Sequence, residues 1–211
     1  MNFKIEQPKI PADILEARSL DTLEPREEIS HGIIEHVTIE HQEAVRVSLE
    51  KMIFRNVTIT ESSLEQIECT DVIFENCDLS NVNFTSSFMH RTEFRTCKLI
   101  GTNFAQSRLQ NVRFQNCLGE LANFRFANFK QVSFEDCSLV SADYYTATFQ
   151  KINFTHCQMD QVYMMGTKLK DVDLSDCRFD ELSVEAENLD GCVIAPHQAS
   201  AFVGLMGMIV R

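Results

Sequence analysis

The chain has 211 residues, 44% of them hydrophobic, and a formal net charge of −12, enough apolar material for one ordinary domain. No apolar run approaches the ~20 residues of a membrane-spanning helix. Met1-Asn2-Phe3-Lys4 lacks the apolar core of a signal peptide, so the expectation is a soluble cytoplasmic protein.

Residues 1–28 do not repeat and are punctuated by Pro8, Pro11 and Pro25. Pro11 to Ala17 reads as a short helix with Asp13 in its first turn. The expected role of 1–28 is a cap over whatever open edge follows.

From Ile29 onward a different order begins. Ile34, Ile39, Leu49, Phe54, Ile59 and Leu64 recur at intervals of five. Between Asp71 and Asp180 the interval is kept by Phe74, Leu79, Phe84, Met89, Phe94, Leu99, Phe104, Leu109, Phe114 and their successors, and Gly119 alone interrupts it. A small or β-branched residue lies two before each. Five matches neither the helical period of 3.6 nor the strand period of 2, so the chain is a repeat architecture. Cys77, Cys97, Cys117, Cys137, Cys157 and Cys177 add a second period of twenty. The simplest geometry turns a corner every five residues and closes a coil every twenty, with coils stacked at roughly 4.8 Å. The fivefold residue and the one two before it point inward; the other three face water. The six cysteines then stack on one inner side as free thiols, and the absence of C-x-x-C gives no support to a metal site.

Four places test the pattern. His31, His36 and His41 are five apart, so they lie on successive sides and face water in different directions rather than sharing a ligand. Gly119 leaves an inward position empty and puts Leu118 and Leu121 outside; a small local kink is expected there, the alternative being that large neighbours such as Leu99 and Leu139 fill the gap. Glu187 falls where a residue should point inward, which is too costly for an unpaired carboxylate, so the chain should leave the coil at Glu185–Asn188 and return for Leu189–Ile194. Pro196 then opens a last segment to Arg211, at the favourable start of a helix, with Phe202, Leu205, Met206 and Ile209 at helical spacing and more apolar surface than capping requires.

The segments Cys77-Asp78-Leu79-Ser80-Asn81, Val82-Asn83-Phe84-Thr85-Ser86, Thr102-Asn103-Phe104-Ala105-Gln106, Ala122-Asn123-Phe124-Arg125-Phe126 and Val172-Asp173-Leu174-Ser175-Asp176 resemble the pentapeptide-repeat family over about residues 29–194. The resemblance implies an all-β solenoid, a right-handed quadrilateral β-helix, with an N-terminal cap (1–28), the coil (29–194) and a C-terminal capping and dimerisation helix with its tail (195–211). It also implies a homodimer joined through Phe202, Leu205, Met206 and Ile209.

Charge is distributed unevenly. Residues 1–50 carry a net of −6, residues 51–170 a net of zero, and residues 171–190 a net of −7, from Asp171, Asp173, Asp176, Asp180, Glu181, Glu185, Glu187 and Asp190 against Arg178. A C-terminal dimer would set two copies of that cluster around its axis. One side of the middle carries His90, Arg91, Arg108, Lys130, Lys151, Lys168 and Lys170. Another shows Arg125, Phe126, Tyr145, Tyr163 and Met165 on outer positions, and exposed aromatics beside Arg are typical of binding hot spots.

Two functions follow. In length, repeats and terminal helix the chain is similar to the Qnr-type quinolone-resistance group, which implies a DNA-mimicking protein that binds DNA gyrase or topoisomerase IV and protects them from fluoroquinolones, here through Asp171, Asp173, Asp176, Asp180 and Glu181. Unlike the Gram-negative members, the even register leaves no room for projecting loops between Asp71 and Asp180. The alternative is a non-catalytic interaction scaffold using Phe126, Tyr145, Tyr163 and Met165. No phosphate loop, nucleophile constellation or ligand spacing points to an enzyme, a cofactor or a metal, and neither direct nucleic-acid binding nor a membrane role is expected.

Overall fold

The computed structural model describes residues 3–11 and 15–209. The fivefold series becomes a four-sided β-helix of about eight turns. Its most regular wall is a parallel sheet of eight strands: β1 (Glu16–Ala17), β2 (Glu28–Glu35), β4 (Ser48–Arg55), β6 (Glu68–Glu75), β7 (Phe88–Arg95), β8 (Arg108–Gln115), β9 (Asn128–Glu135) and β10 (Thr148–Thr155), stacked in that order. Two small pairs lie on other walls, β3 (Thr38–Glu40) with β5 (Thr58–Thr60) and β11 (Val162–Tyr163) with β12 (Leu182–Ser183). Each residue pairs with the one twenty positions on, as in Phe74↔Phe94 and Phe94↔Phe114, so one coil is twenty residues and inner columns contain like side chains.

Those columns form the core. Phe54, Phe74, Phe94, Phe114, Phe134 and Phe154 stack ring on ring at 4.5–5.3 Å. Phe84, Phe104, Phe124 and Tyr144 form a second stack at 4.9–5.4 Å. The stacks meet edge to face, as in Phe104 against Phe114 at 6.1 Å. Such pairs contribute roughly 0.5–1.5 kcal/mol beyond area burial. The small column supplies polar links as well as volume. Cys77, Cys97, Cys117 and Cys137 each aim Sγ at the carbonyl of a phenylalanine twenty-three residues earlier, 3.3–3.5 Å away. Thr102 and Thr167 hydroxyls donate to carbonyls at that same offset, at 2.8 and 2.6 Å. All eight cysteines are free thiols.

The corners carry the backbone strain. From Arg26 to Asp171 nearly every residue two after a large inward one has positive φ, including Thr96 (53°) and Thr146 (54°). Gly101 and Gly166 occupy the same corner position. On two walls the corner is a turn closed by an N–H to the third carbonyl back, as in Val82 to Leu79 at 3.2 Å, with the left-handed residue third, the type II arrangement. A non-glycine residue there costs on the order of 1 kcal/mol, which the inter-coil ladder offsets.

Three expectations are corrected and one is sharpened. Glu16–Ala17 is not helical but pairs with Gly32–Ile33; the rest of the expected helix includes residues 12–14, which lie outside the described residues. Leu20 and Leu23 bury against the first coil, while residues 3–11 run along the solenoid instead of across its end: Gln131 donates to the Lys4 carbonyl, the Glu6 N–H to Asn111 and the Lys9 N–H to Asp71. There is no kink at Gly119. Its N–H reaches the Ser138 carbonyl at 2.7 Å, and the Leu139 side chain fills the gap, 3.2 Å from where a Cβ would stand. Leu118 and Leu121 do face outward, Leu121 with 62% exposed. The expected C-terminal helix is present but small and interrupted: a 3-10 turn at Pro196–Gln198, a single α turn α1 (Ser200–Val203) and another 3-10 turn at Gly204–Met206. The coil breaks as expected beforehand, into a 3-10 turn at Ala186–Leu189 with Glu187 exposed, and rejoins the ladder through Val193 and Asp173.

Candidate functional site

A tube filled by stacked side chains acts through its outside, and the outside offers three surfaces. The first is a ring of acid around the last coils. Asp171, Asp173, Asp176, Asp180 and Glu181 are all exposed. By the five-residue step Asp171 stands at a corner, with φ 63°, Asp173 lies on the wall after it, Asp176 at the next corner position, and Asp180 and Glu181 just before and at the one beyond. The sequence grouped these residues; the structure spreads them around the coil. Their chemistry is not uniform. Asp173 accepts the Ser175 N–H and hydroxyl at 2.9 and 2.6 Å, and the hydroxyl, then the N–H, holds its carboxyl below the usual range. Asp176, Asp180 and Glu181 have no side-chain hydrogen bond or ion pair among the described residues, so their charge stands free. Asp160, outside the sequence candidates, holds the ring in place by accepting the Asp180 and Glu181 N–H groups, both at 3.0 Å.

The second surface is an aromatic ladder. Phe126 stands at a corner, Tyr145 just before the same corner one coil on, and Tyr163 on the wall leading to it one coil further. Phe126 meets Tyr145 edge on at 5.5 Å, and Tyr145 lies 6.1 Å from Tyr163. The Arg125 guanidinium sits 4.5 Å over the Tyr145 ring and 5.8 Å from that of Phe126, fixed by a 2.9 Å bond to Asp143. Phe126 is 49% and Tyr163 38% exposed; Met165 is half-buried beside them. The predicted patch is thus one connected surface, and its Arg is already paired.

The third is the C-terminal run. Gln198 is buried and donates to the Leu174 and Cys177 carbonyls at 2.9 and 2.8 Å, groups that another coil would otherwise satisfy. Phe202 packs on Phe179 at 5.8 Å. Of the predicted dimer residues, Phe202 therefore faces the solenoid, whereas Leu205 and Ile209 face away, Ile209 with 85% exposed. Met208, not among the predicted four, is exposed with them. Met206 belongs to the same turn.

The basic side is partly neutralised from within. Arg91 forms a two-pronged pair with Asp71 at 2.6 and 2.7 Å. Burial pushes the Asp71 carboxyl up, but the Arg91 guanidinium and the Lys9 N–H together outweigh it and hold the group below the usual range. Burial, then the Arg91 charge, lowers the neighbouring His90. Lys130, Lys151, Lys168 and Lys170 remain exposed. Among the described residues no group of His, Cys, Asp or Glu is arranged to hold a metal ion, and no helix is long and apolar enough to cross a membrane.

A family model described as "Pentapeptide repeat region" matches residues 67–144, 86–163 and 127–198. No curated protein matches the sequence. Among solved structures, a trypsin-treated variant of QnrB1, a plasmid-mediated fluoroquinolone resistance protein, is 18% identical, with 90% of this chain and 98% of that chain covered and a TM-score of 0.46. Full-length QnrB1 is 18% identical over 89% of this chain and 98% of that one, with a TM-score of 0.43. HetL from Nostoc sp. strain PCC 7120, a pentapeptide repeat protein involved in heterocyst differentiation regulation, is 13% identical over 81% and 84%, with a TM-score of 0.44.

Proposed function

Because this chain belongs to the pentapeptide-repeat family, we propose that it works without catalysis, as a rigid rod that binds DNA gyrase or topoisomerase IV in place of DNA and protects the enzyme from fluoroquinolones. The observation that carries this reading is the exposed acid at the last coils, where Asp176, Asp180 and Glu181 stand without side-chain partners among the described residues. Such a ring can replace phosphates on a basic DNA-binding surface, and binding of that kind weakens as salt rises. Leu205, Met208 and Ile209 on the outer side of the C-terminal run are the proposed contact with a second copy, which would double the acidic ring about a two-fold axis.

Gyrase supercoiling and quinolone-induced cleavage, assayed with and without the protein, test the proposal. The expected results are altered supercoiling and reduced cleavage, both lost in the triple variant Asp176→Lys, Asp180→Lys, Glu181→Lys. No effect at concentrations well above that of the enzyme would sink it. An effect that survives the triple variant would reject the acid as the binding element.

The pinned Arg125 and its ring neighbours favour a second reading, a scaffold that holds another protein on the Phe126–Tyr145–Tyr163 ladder. Tyr145→Ala, Tyr163→Ala would then abolish binding while the acid-ring variant leaves it intact.

A further inference from the structure

The N-terminal segment makes a set of contacts that neither the acid ring nor the aromatic ladder uses. Residues 3–9 lie along the solenoid axis, against the column of corners that repeats at Asp71, Arg91, Asn111, Gln131 and Lys151. Three of these corners reach the main chain of the segment. Gln131 Nε2 donates to the Lys4 carbonyl at 2.9 Å, Asn111 Oδ1 accepts the Glu6 N–H at 3.2 Å, and Asp71 Oδ1 accepts the Lys9 N–H at 2.8 Å. The spacing fits an extended chain: Lys4 to Lys9 covers roughly 16 Å at about 3.3 Å per residue, and the three coils from Gln131 to Asp71 span roughly 14 Å. Side chains anchor the segment at alternate positions. Ile5 is buried, and Phe3 lies in a cleft with Phe149, Ile152 and Val172.

We propose that this corner column is an extended-peptide-binding groove, that its resident ligand is the chain's own segment Phe3–Lys9, and that the segment can leave and be replaced. Because the three hydrogen bonds address main-chain groups, the groove selects an extended backbone with apolar residues at alternate positions rather than one particular sequence. This is the logic of strand-addition sites, here performed by side chains projecting from stacked corners. The column is built for it without strain specific to binding, since Asn111 and Gln131 hold the same left-handed conformation as the other corners.

The test uses the full chain. Hydrogen exchange at the Glu6 and Lys9 amides reports whether the segment is seated, and a fluorescent peptide with the sequence of residues 2–11 reports whether the groove accepts a ligand in trans. In the unmodified protein both amides should exchange at least tenfold more slowly than in the free peptide. Phe3→Ser, Ile5→Ser should release the segment, speeding both amides at least tenfold while amides of β7 to β9 are unchanged. That variant should bind the peptide at least tenfold more tightly than the unmodified protein does. Adding Asn111→Gly and Gln131→Gly, which keep the corner conformation because glycine adopts positive φ freely, should abolish the binding. Exchange of Glu6 and Lys9 at the free-peptide rate in the unmodified protein would overturn the proposal. So would no peptide binding by the released variant, or binding that survives loss of Asn111 and Gln131. Asn111→Gly, Gln131→Gly in the otherwise unmodified chain gives a check that does not depend on Phe3 or Ile5: it should free the two amides and leave the strand amides alone.

Discussion

Gly119 is where repeat logic and packing make opposite predictions. The fivefold series asks for leucine at this position, so Gly119→Leu is the substitution a consensus of the chain's own repeats recommends. In the structure the space is already filled. Even a Cβ on Gly119 would stand 3.2 Å from Leu139 Cδ2 and 3.3 Å from the Ser138 carbonyl oxygen, and the N–H of Gly119 is tied to that same carbonyl at 2.7 Å. The backbone cannot retreat without breaking the ladder, so Leu139 must move. Overpacking a filled core costs typically 1–3 kcal/mol, and for a chain of this size each kcal/mol shifts Tm by about 2–4 °C. The expected result is a Tm about 2–12 °C lower for Gly119→Leu, read by circular dichroism. Leu139→Ala alone leaves a cavity and should cost about 2–5 kcal/mol. Combined, the two exchange a large and a small residue between adjacent coils, and the double variant should recover more than 1 kcal/mol relative to the sum of the singles. A Tm that rises with Gly119→Leu, or a strictly additive double variant, would refute the claim that Leu139 occupies the gap.

The remaining predictions concern the interior, the cap and the strap. Tyr144 is fully buried with no hydrogen-bond partner for its hydroxyl among the described residues, so Tyr144→Phe, which extends the Phe84–Phe104–Phe124 stack, should stabilise the chain by about 1 kcal/mol, seen as a higher urea midpoint with unchanged slope. Gln198→Ala strips the Cys177 carbonyl of its side-chain donor and leaves the Leu174 carbonyl with the Cys177 N–H alone, which should cost about 1–3 kcal/mol, with amide exchange accelerating first in residues 171–194. Asp71 titrates below its unfolded value, so the unfolded chain binds more protons across that window. Its contribution is complete above the unfolded value of about 3.9 and is lost as pH falls through the folded one. An acid titration of Asp71→Asn should therefore show a shallower loss of stability below about pH 4 than the unmodified chain, and an identical slope would remove the Arg91–Asp71–Lys9 cluster from the account. Seven cysteines are buried and Cys192 is half-buried, with burial pushing the Cys192 thiol up to about 11. A thiol reagent should thus modify Cys192 alone, and slowly at neutral pH, until the coil unfolds.

The period of five and the cysteines at twenty were sufficient to read the β-helix, its inward columns and the break at Glu187, because a repeat makes one local rule hold everywhere. They did not reveal that the corners hold positive φ, since side chains as different as His31, Thr96 and Phe126 all accept it once the ladder enforces it. The acids of 171–190 were visible as a run of charge, but their division into free carboxylates and ones engaged in turns, such as Asp173, depends on the turns themselves. The terminal segment read as one helix because Phe202, Leu205, Met206 and Ile209 keep helical spacing; Gly204 and Gly207 and the need to seat Gln198 over the last coil reduced it to single turns. The N-terminal segment Phe3–Lys9, lying as a strap along the corners, was the least legible feature. Phe3-x-Ile5 is too short to carry a period, and its partners Asp71, Asn111 and Gln131 are each an ordinary polar corner in sequence. What the sequence determined by itself was everything that repeats, because neighbours at fixed spacing specify each other locally. What the tertiary structure decided was everything that happens once: the filling of Gly119 by Leu139, the closure by Gln198, and the path of residues 3–11, each fixed by contacts between positions that no period relates.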